Sequence, residues 1–117
     1  MRASKWLAVF CLLGLVAPGL ALADGAIAKS ADGYTGMSYN NRGPREADNR
    51  ALDECRGRCR IVLRFRNQCA AVAVGRGGGG GWATADRPGR AENEAMEQCR
   101  DQGNRECRIQ QRACDER

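Results

Sequence analysis

Two stretches of the chain carry the same pattern twice: ADNRALDECRGRCRI at residues 47–61 and AENEAMEQCRDQGNRECRI at residues 91–109. Set at an offset of 44, Gly36 meets Gly80, Pro44 meets Pro88, Ala47 meets Ala91, Ala51 meets Ala95, Leu52 meets Met96 and Cys55 meets Cys99. The second copy then carries four extra residues before Cys107-Arg108-Ile109, the counterpart of Cys59-Arg60-Ile61. Proline, alanine and cysteine hold one register together, so the agreement reads as an internal duplication and not as shared composition.

Each copy spells the same helix. Pro44 and Pro88 suit a first helical turn, where a missing N–H costs nothing. Ala47, Ala51, Leu52 and Cys55 follow at helical spacing as one narrow apolar stripe, and Ala91, Ala95, Met96 and Cys99 repeat it. Small alanines on such a stripe let a helix approach a sheet closely. Gly57 and Gly103 mark the helix ends. Residues 60–66 alternate Ile61, Leu63 and Phe65 against Arg60, Arg64 and Arg66, the pattern of a half-buried strand. Residues 69–74 are nearly all apolar and predict a more central strand, with residues 26–28 as its counterpart. Residues 34–40 and 81–85 predict short second strands, and residues 105–112 the last one. The expectation is an α+β fold: a duplicated ββαβ unit forming an antiparallel sheet with two helices, braced by disulfides, in one domain with copies at about 26–68 and 69–115.

The N-terminus has a different character. Arg2 and Lys5 precede an apolar run that ends in Pro18-Gly19 and the small-residue triplet Ala21-Leu22-Ala23, the layout of a secretory signal peptide over residues 1–23. The uninterrupted apolar run is shorter than the roughly 20 residues of a membrane span, so no transmembrane anchor is expected after cleavage. Cys11 leaves with the leader. Removing Arg2 and Lys5 from 19 basic residues leaves 17 against 14 acidic ones, a net charge of +3 in place of +5. The remaining residues, 24–117, form a single cysteine-rich domain, and the compartment predicted is secreted or periplasmic.

That domain keeps Cys55, Cys59, Cys69, Cys99, Cys107 and Cys114, an even set that reads as three disulfides in an oxidising compartment. With zero histidines and no Cys-x2-Cys pair, a zinc site has no support. Repeat symmetry favours Cys55–Cys59 and Cys99–Cys107, leaving Cys69 to join Cys114 between the copies; pairing equivalent cysteines across the halves is the open alternative.

In this arrangement the chain resembles the domain-of-unknown-function (DUF) 4189 family of bacterial exported proteins. The likeness rests on Ala26-Ile27-Ala28-Lys29-Ser30, on Ala47-x3-Ala51-Leu52-x2-Cys55, on Cys59-Arg60-Ile61-Val62 and Cys69-Ala70-Ala71-Val72-Ala73, and on Ala91-x3-Ala95-Met96-x2-Cys99 through Cys107 and Cys114. It covers about residues 25–114. The resemblance implies an exported cysteine-rich α+β domain and brings no catalytic residue with it. The glycine run at residues 77–81 is longer than that pattern leads one to expect.

Chemistry-bearing motifs are sparse. The run Gly75-Arg76-Gly77-Gly78-Gly79-Gly80-Gly81 ends in Trp82, without the Lys-Ser/Thr of a phosphate loop, and reads as a flexible hairpin connection. No histidine stands ready as a base, and Ser30, Thr35, Ser38 and Thr84 have no activating partner pattern. Asp53, Glu54, Glu92, Glu94 and Glu97 fall on helix faces that are charged in any case. No catalytic residue, metal or cofactor is assigned, and no enzymatic activity is expected. Arg60, Arg64 and Arg66 on one strand, joined by Arg58 just before it, with Arg108 and Arg112 on its counterpart, are the candidate binding residues, forming one patch if those strands are neighbours. Nucleic acid is not expected, since Tyr34, Tyr39 and Trp82 lie in other segments than the arginines. The functional expectation is a non-enzymatic binding module with a protein partner in the envelope or exterior, of inhibitor or immunity type. The alternative is a surface-active protein that holds anionic lipid or polysaccharide through the Arg patch.

Overall fold

The computed structural model describes residues 24–115; the leader assigned above, residues 1–23, lies outside them. The elements run β1 (Asp24–Ser30), β2 (Thr35–Asn41), α1 (Pro44–Glu54), β3 (Cys59–Arg66), β4 (Cys69–Val74), β5 (Gly80–Ala85), α2 (Pro88–Asp101) and β6 (Arg108–Cys114). This is the duplicated ββαβ unit. The strands form two three-stranded antiparallel sheets, β2-β1-β3 and β5-β4-β6, where the sequence had suggested one.

The central strands explain why the sheets stay apart. On β1, Ala26 and Ala28 cluster with Ala47 and Ala51 of α1 and with Cys55 just after it, while Ile27 clusters with Val72 of the other sheet. On β4, Cys69, Ala71 and Ala73 cluster with Ala91, Ala95 and Cys99 of α2, while Ala70, Val72 and Val74 face the first sheet. Both faces of each central strand are apolar, so each needs a helix on one side and a sheet on the other. The result is four layers in the order α1, first sheet, second sheet, α2. Alanines line the helix contacts and larger side chains, Ile27, Met37, Phe65 and Val72, fill the space between sheets.

Glycine sets the helix distance. A Cβ on Gly36 would collide with the Ala51 carbonyl oxygen of α1, and one on Gly81 would lie 2.5 Å from the Ala95 carbonyl oxygen of α2. Gly36 pairs with Ala28 and Gly81 with Ala73, so the counterpart of Gly36 is Gly81 and not Gly80. The second strands are therefore offset by one residue from the helices.

β3 departs from simple alternation. Its pairing with β1 steps from Leu63 opposite Ile27 to Ile61 opposite Ala28, leaving Val62 as a bulge. Ile61 consequently sits with the α1 cluster, whereas Leu63 and Phe65 sit between the sheets. Arg60 shares the inter-sheet face with Lys29, and Arg64 and Arg66 share the α1 face. β6 has the same step, from Gln111 opposite Val72 to Ile109 opposite Ala73.

The disulfides are Cys55–Cys59, Cys99–Cys107 and Cys69–Cys114. Two tie each helix end to the following strand. The third joins β4 to β6 within the second copy, not between copies, because Cys69 and Cys114 are direct cross-strand partners. The copies are instead joined by hydrogen bonds. Asp115, buried, accepts from the Asn40 N–H at 2.6 Å and the Asn67 N–H at 3.1 Å. At the opposite end the β1–β2 and β4–β5 turns touch: a Cβ on Gly78 would lie 2.6 Å from the Ala31 carbonyl oxygen. Gly75 N–H donates to the Gly79 carbonyl, Arg76 N–H to the Arg105 carbonyl, and Lys29 Nζ to the Gly78 carbonyl at 2.6 Å. The glycine run is thus a packed junction, not the flexible connection expected.

Candidate binding site

Sheet order separates the predicted arginines. β3 and β6 are edge strands of different sheets, and across the inter-sheet space β3 lies against β5 while β6 lies against β2. The single patch of six arginines therefore does not form. Arg64 Nη2 lies 2.7 Å from Asp48 on α1, Arg66 Nε lies 2.9 Å from Asp24 on β1, and Arg112 pairs with Glu92 on α2. Hydrogen bonds to the carboxylates, and then their charge, raise the pKa of Arg64 and Arg66. Each of these three exposed guanidinium groups is already paired with a carboxylate. Among the described residues, Arg58, Arg60 and Arg108 form no salt bridge.

Those three stand at one end of the molecule. Ser30 pairs with Cys59 and Val74 with Arg108, so the two hairpin turns and the connections after both helices meet there. Arg56, Arg76 and Arg105, absent from the sequence-based set, lie in the same connections and are exposed. Asp32 and Glu106 are the acids among them, and Glu106 sits 3.5 Å from Arg76 in an exposed pair. Lys29 lies beneath, 7% exposed, its pKa lowered by burial and then by Arg60.

Two separate hollows lie along the seam between β2 and β6. The upper one, about 610 Å³, is bounded by Asp32, Tyr34, Arg76, Arg108 and Gln110. The lower one, about 290 Å³, is bounded by Met37, Tyr39, Glu54, Gln111 and Arg112. Tyr34 and Tyr39 are 47% and 51% exposed, so each offers part of a ring to solvent. Among the described residues, two buried side-chain polar atoms lack a hydrogen-bond partner, Thr35 Oγ1 on β2 and Gln111 Oε1 on β6. Both belong to the strands of this seam.

The related seam on the other side, between β3 and β5, is built differently. By strand pairing, Val62 corresponds to Gln110, Leu63 to Gln111 and Trp82 to Met37. Val62, Leu63 and Trp82 pack on the inter-sheet core. One seam is apolar and packed, the other polar and hollowed. Sequence reading missed the tyrosines because Tyr34 lies just before β2 and Tyr39 on it, far along the chain from the arginines of β6; only the face-to-face packing of the sheets brings them near that strand.

The upper hollow can hold a polar ligand by stacking, by hydrogen bonding and, at Arg108, by charge. No curated protein and no solved structure matches the chain. The model of one family, described as a domain of unknown function (DUF4189), matches residues 25–114, and the chain belongs to that family.

Proposed function

We propose that the protein is exported and acts outside the cytoplasm as a non-enzymatic binding module for an anionic partner, held at the arginine-rich end and the adjoining β2–β6 seam. One observation carries this: two seams of common origin differ, and the one bordered by Arg108, which forms no salt bridge among the described residues, is open and polar. Six cysteines tied in three disulfides support an oxidising compartment. The residues of these hollows suit holding better than transforming, since the chain has no histidine to serve as a base. Of the two partner classes expected from sequence, an anionic polysaccharide suits ring-bearing polar hollows better than a protein does.

The test uses full-length chain expressed with its leader, with the oxidised product recovered from outside the cytoplasm and applied to immobilised acidic and neutral polysaccharides. Retention on the acidic matrix that falls as salt rises supports the reading. Recovery of the product only inside the cell, or no retention together with co-purification of one stoichiometric envelope protein, overturns it in favour of the inhibitor or immunity class.

A further inference from the structure

We infer that the upper hollow is a binding site for a free α-amino acid with an aromatic side chain, Arg108 taking its carboxylate, Asp32 its ammonium and Tyr34 its ring. Where the reading above concerns an anionic polymer, this ligand is small and zwitterionic and occupies one hollow alone. The charges around that hollow are sorted. Arg76 and Glu106 compensate each other at 3.5 Å, with Glu106 held at a φ of 55°, a conformation that few residues other than glycine adopt. Asp32 and Arg108 form no salt bridge, with each other or with any other described residue. One acid and one base of the same hollow are therefore left uncompensated, beyond the distance at which they could pair. A simple anion meets only the base and brings its own charge towards Asp32, and a simple cation does the reverse. A carboxylate and an ammonium on one carbon satisfy both, the carboxylate against a guanidinium whose fork matches it.

Two neutral groups narrow the class. Tyr34, 47% exposed, presents part of its ring at the hollow, where a second aromatic ring can pack on it offset or edge to face. Gln110 lines the same hollow, and neither its amide nor the Tyr34 hydroxyl bonds to a described residue, so both have donors and acceptors to offer. The volume of about 610 Å³ lies within the roughly 300–1,000 Å³ of small-molecule sites.

The other copy supplies the internal control. Lys29 pairs with Thr35 and Val74 with Gly80, so the turns at residues 30–34 and 75–79 are of equal length and correspond position by position. Asp32 then answers to Gly77, Tyr34 to Gly79 and Gln110 to Val62, and only Arg108 has a counterpart of its own kind, Arg60. A Cβ on Gly79 would collide with Asn104 Oδ1, so no ring can stand there. Acid, ring and amide thus belong to one end of one seam and not to the frame that the copies share.

The experiment is calorimetric titration of the oxidised, leader-processed protein at neutral pH and fixed ionic strength with four ligands: phenylalanine, phenylpropionate, which lacks the ammonium, phenylethylamine, which lacks the carboxylate, and free glycine, which lacks the ring. Wild type is compared with Asp32→Asn, Arg108→Gln and Arg60→Gln, and non-reducing mass and thermal melting confirm that each variant is folded. Phenylalanine should bind wild type about tenfold more tightly than each of the other three ligands. Asp32→Asn should erase its advantage over phenylpropionate, Arg108→Gln its advantage over phenylethylamine, and Arg60→Gln neither. Phenylpropionate binding as tightly as phenylalanine in wild type overturns the zwitterion assignment and leaves the anion reading standing. Free glycine binding as tightly as phenylalanine overturns the place given to Tyr34, and equal losses in Arg108→Gln and Arg60→Gln overturn the hollow as the site. No binding of phenylalanine by wild type overturns the inference outright, while retention on the acidic matrix decides the anion reading separately.

Discussion

The two copies share a backbone and differ in what their side chains do with it. In each, a glycine of the second strand admits the helix, Gly36 in one and Gly81 in the other. In each, an arginine of the third strand pairs with an acid on the helix: Arg64 with Asp48, Arg112 with Glu92. In each, a helix side chain accepts the edge N–H of the second strand, Glu54 from Met37 and Gln98 from Trp82. The differences fall outside that frame. Where β1 and β3 end in the ion pair Asp24–Arg66, β4 and β6 end in the disulfide Cys69–Cys114. Where the β3–β5 seam packs Val62, Leu63 and Trp82, the β2–β6 seam opens between Met37, Gln110 and Gln111. Backbone-setting positions have stayed alike, and cross-links and seams have diverged.

The strand-end cross-links give the largest predicted contrast. Cys69–Cys114 spans 45 positions, and closing a loop of that size restricts the unfolded chain by about 4 kcal/mol in the entropic account. Asp24–Arg66 occupies the related site but is exposed at its guanidinium, where solvent screens the pair. Replacing both cysteines with serine should lower the urea midpoint strongly, whereas Asp24→Asn should barely move it. Equal effects would remove the distinction between a cross-linked and an ion-paired copy.

Glycine substitutions ask whether the copies are alike where the backbone says they are. Gly36→Ala and Gly81→Ala should each cost up to about 3 kcal/mol by forcing the helix off its sheet. At the junction, Gly78→Ala meets the Ala31 carbonyl at 2.6 Å, whereas a Cβ on Gly77 meets nothing within 4 Å. Both have positive φ, near 100° and 95°, so strain is common to them and only Gly78→Ala adds the clash between copies. Unfolding midpoints should rank Gly78→Ala well below Gly77→Ala; the reverse order would mean that the turns do not pack together.

Much of this frame was legible in the sequence, because a duplication carries its own check. Pro44 and Pro88, the alanine stripes and the glycines after them marked both helices, and Cys55–Cys59 with Cys99–Cys107 followed from their places at helix ends. What failed was long-range or hinged on a single residue. Alternation in β3 broke because Val62 is bulged, which a periodic reading cannot register, and that placed Arg60 on the face opposite Arg64 and Arg66. The six-arginine patch failed because sheet order, a non-local property, put β3 and β6 on different seams. The tyrosines of the two hollows carried no motif at all, and only the face-to-face packing of two sheets makes Tyr34 and Tyr39 neighbours of β6.

Exchanging one seam residue for its counterpart sharpens the comparison at a smaller scale. Gln111→Leu installs the side chain found at Leu63 and removes the unpartnered Oε1 acceptor. Stability should rise by about 1 kcal/mol, the lower end of what an unmet buried polar group costs. An unchanged or lowered urea midpoint would mean that Oε1 is not an unmet group in solution.

Lys29 provides the finest test, because its counterpart on β4 is Val74, which carries no charge. Burial first, and then Arg60, lowers its pKa below the ordinary 10.5. As pH climbs from that lowered value to the unfolded one, the native chain has released a proton that the unfolded chain still holds, so stability rises with pH across the window. The bonds to the Ser30 and Gly78 carbonyls need not be lost in the process, since a neutral amine still carries two N–H donors for two acceptors. Lys29→Met removes the titration along with both bonds. The stability difference between wild type and Lys29→Met should therefore widen in favour of wild type from neutral pH towards 10.5. A constant difference across that range would mean that the ammonium is as well solvated in the fold as in the unfolded chain, and that the junction beneath the two turns is wet.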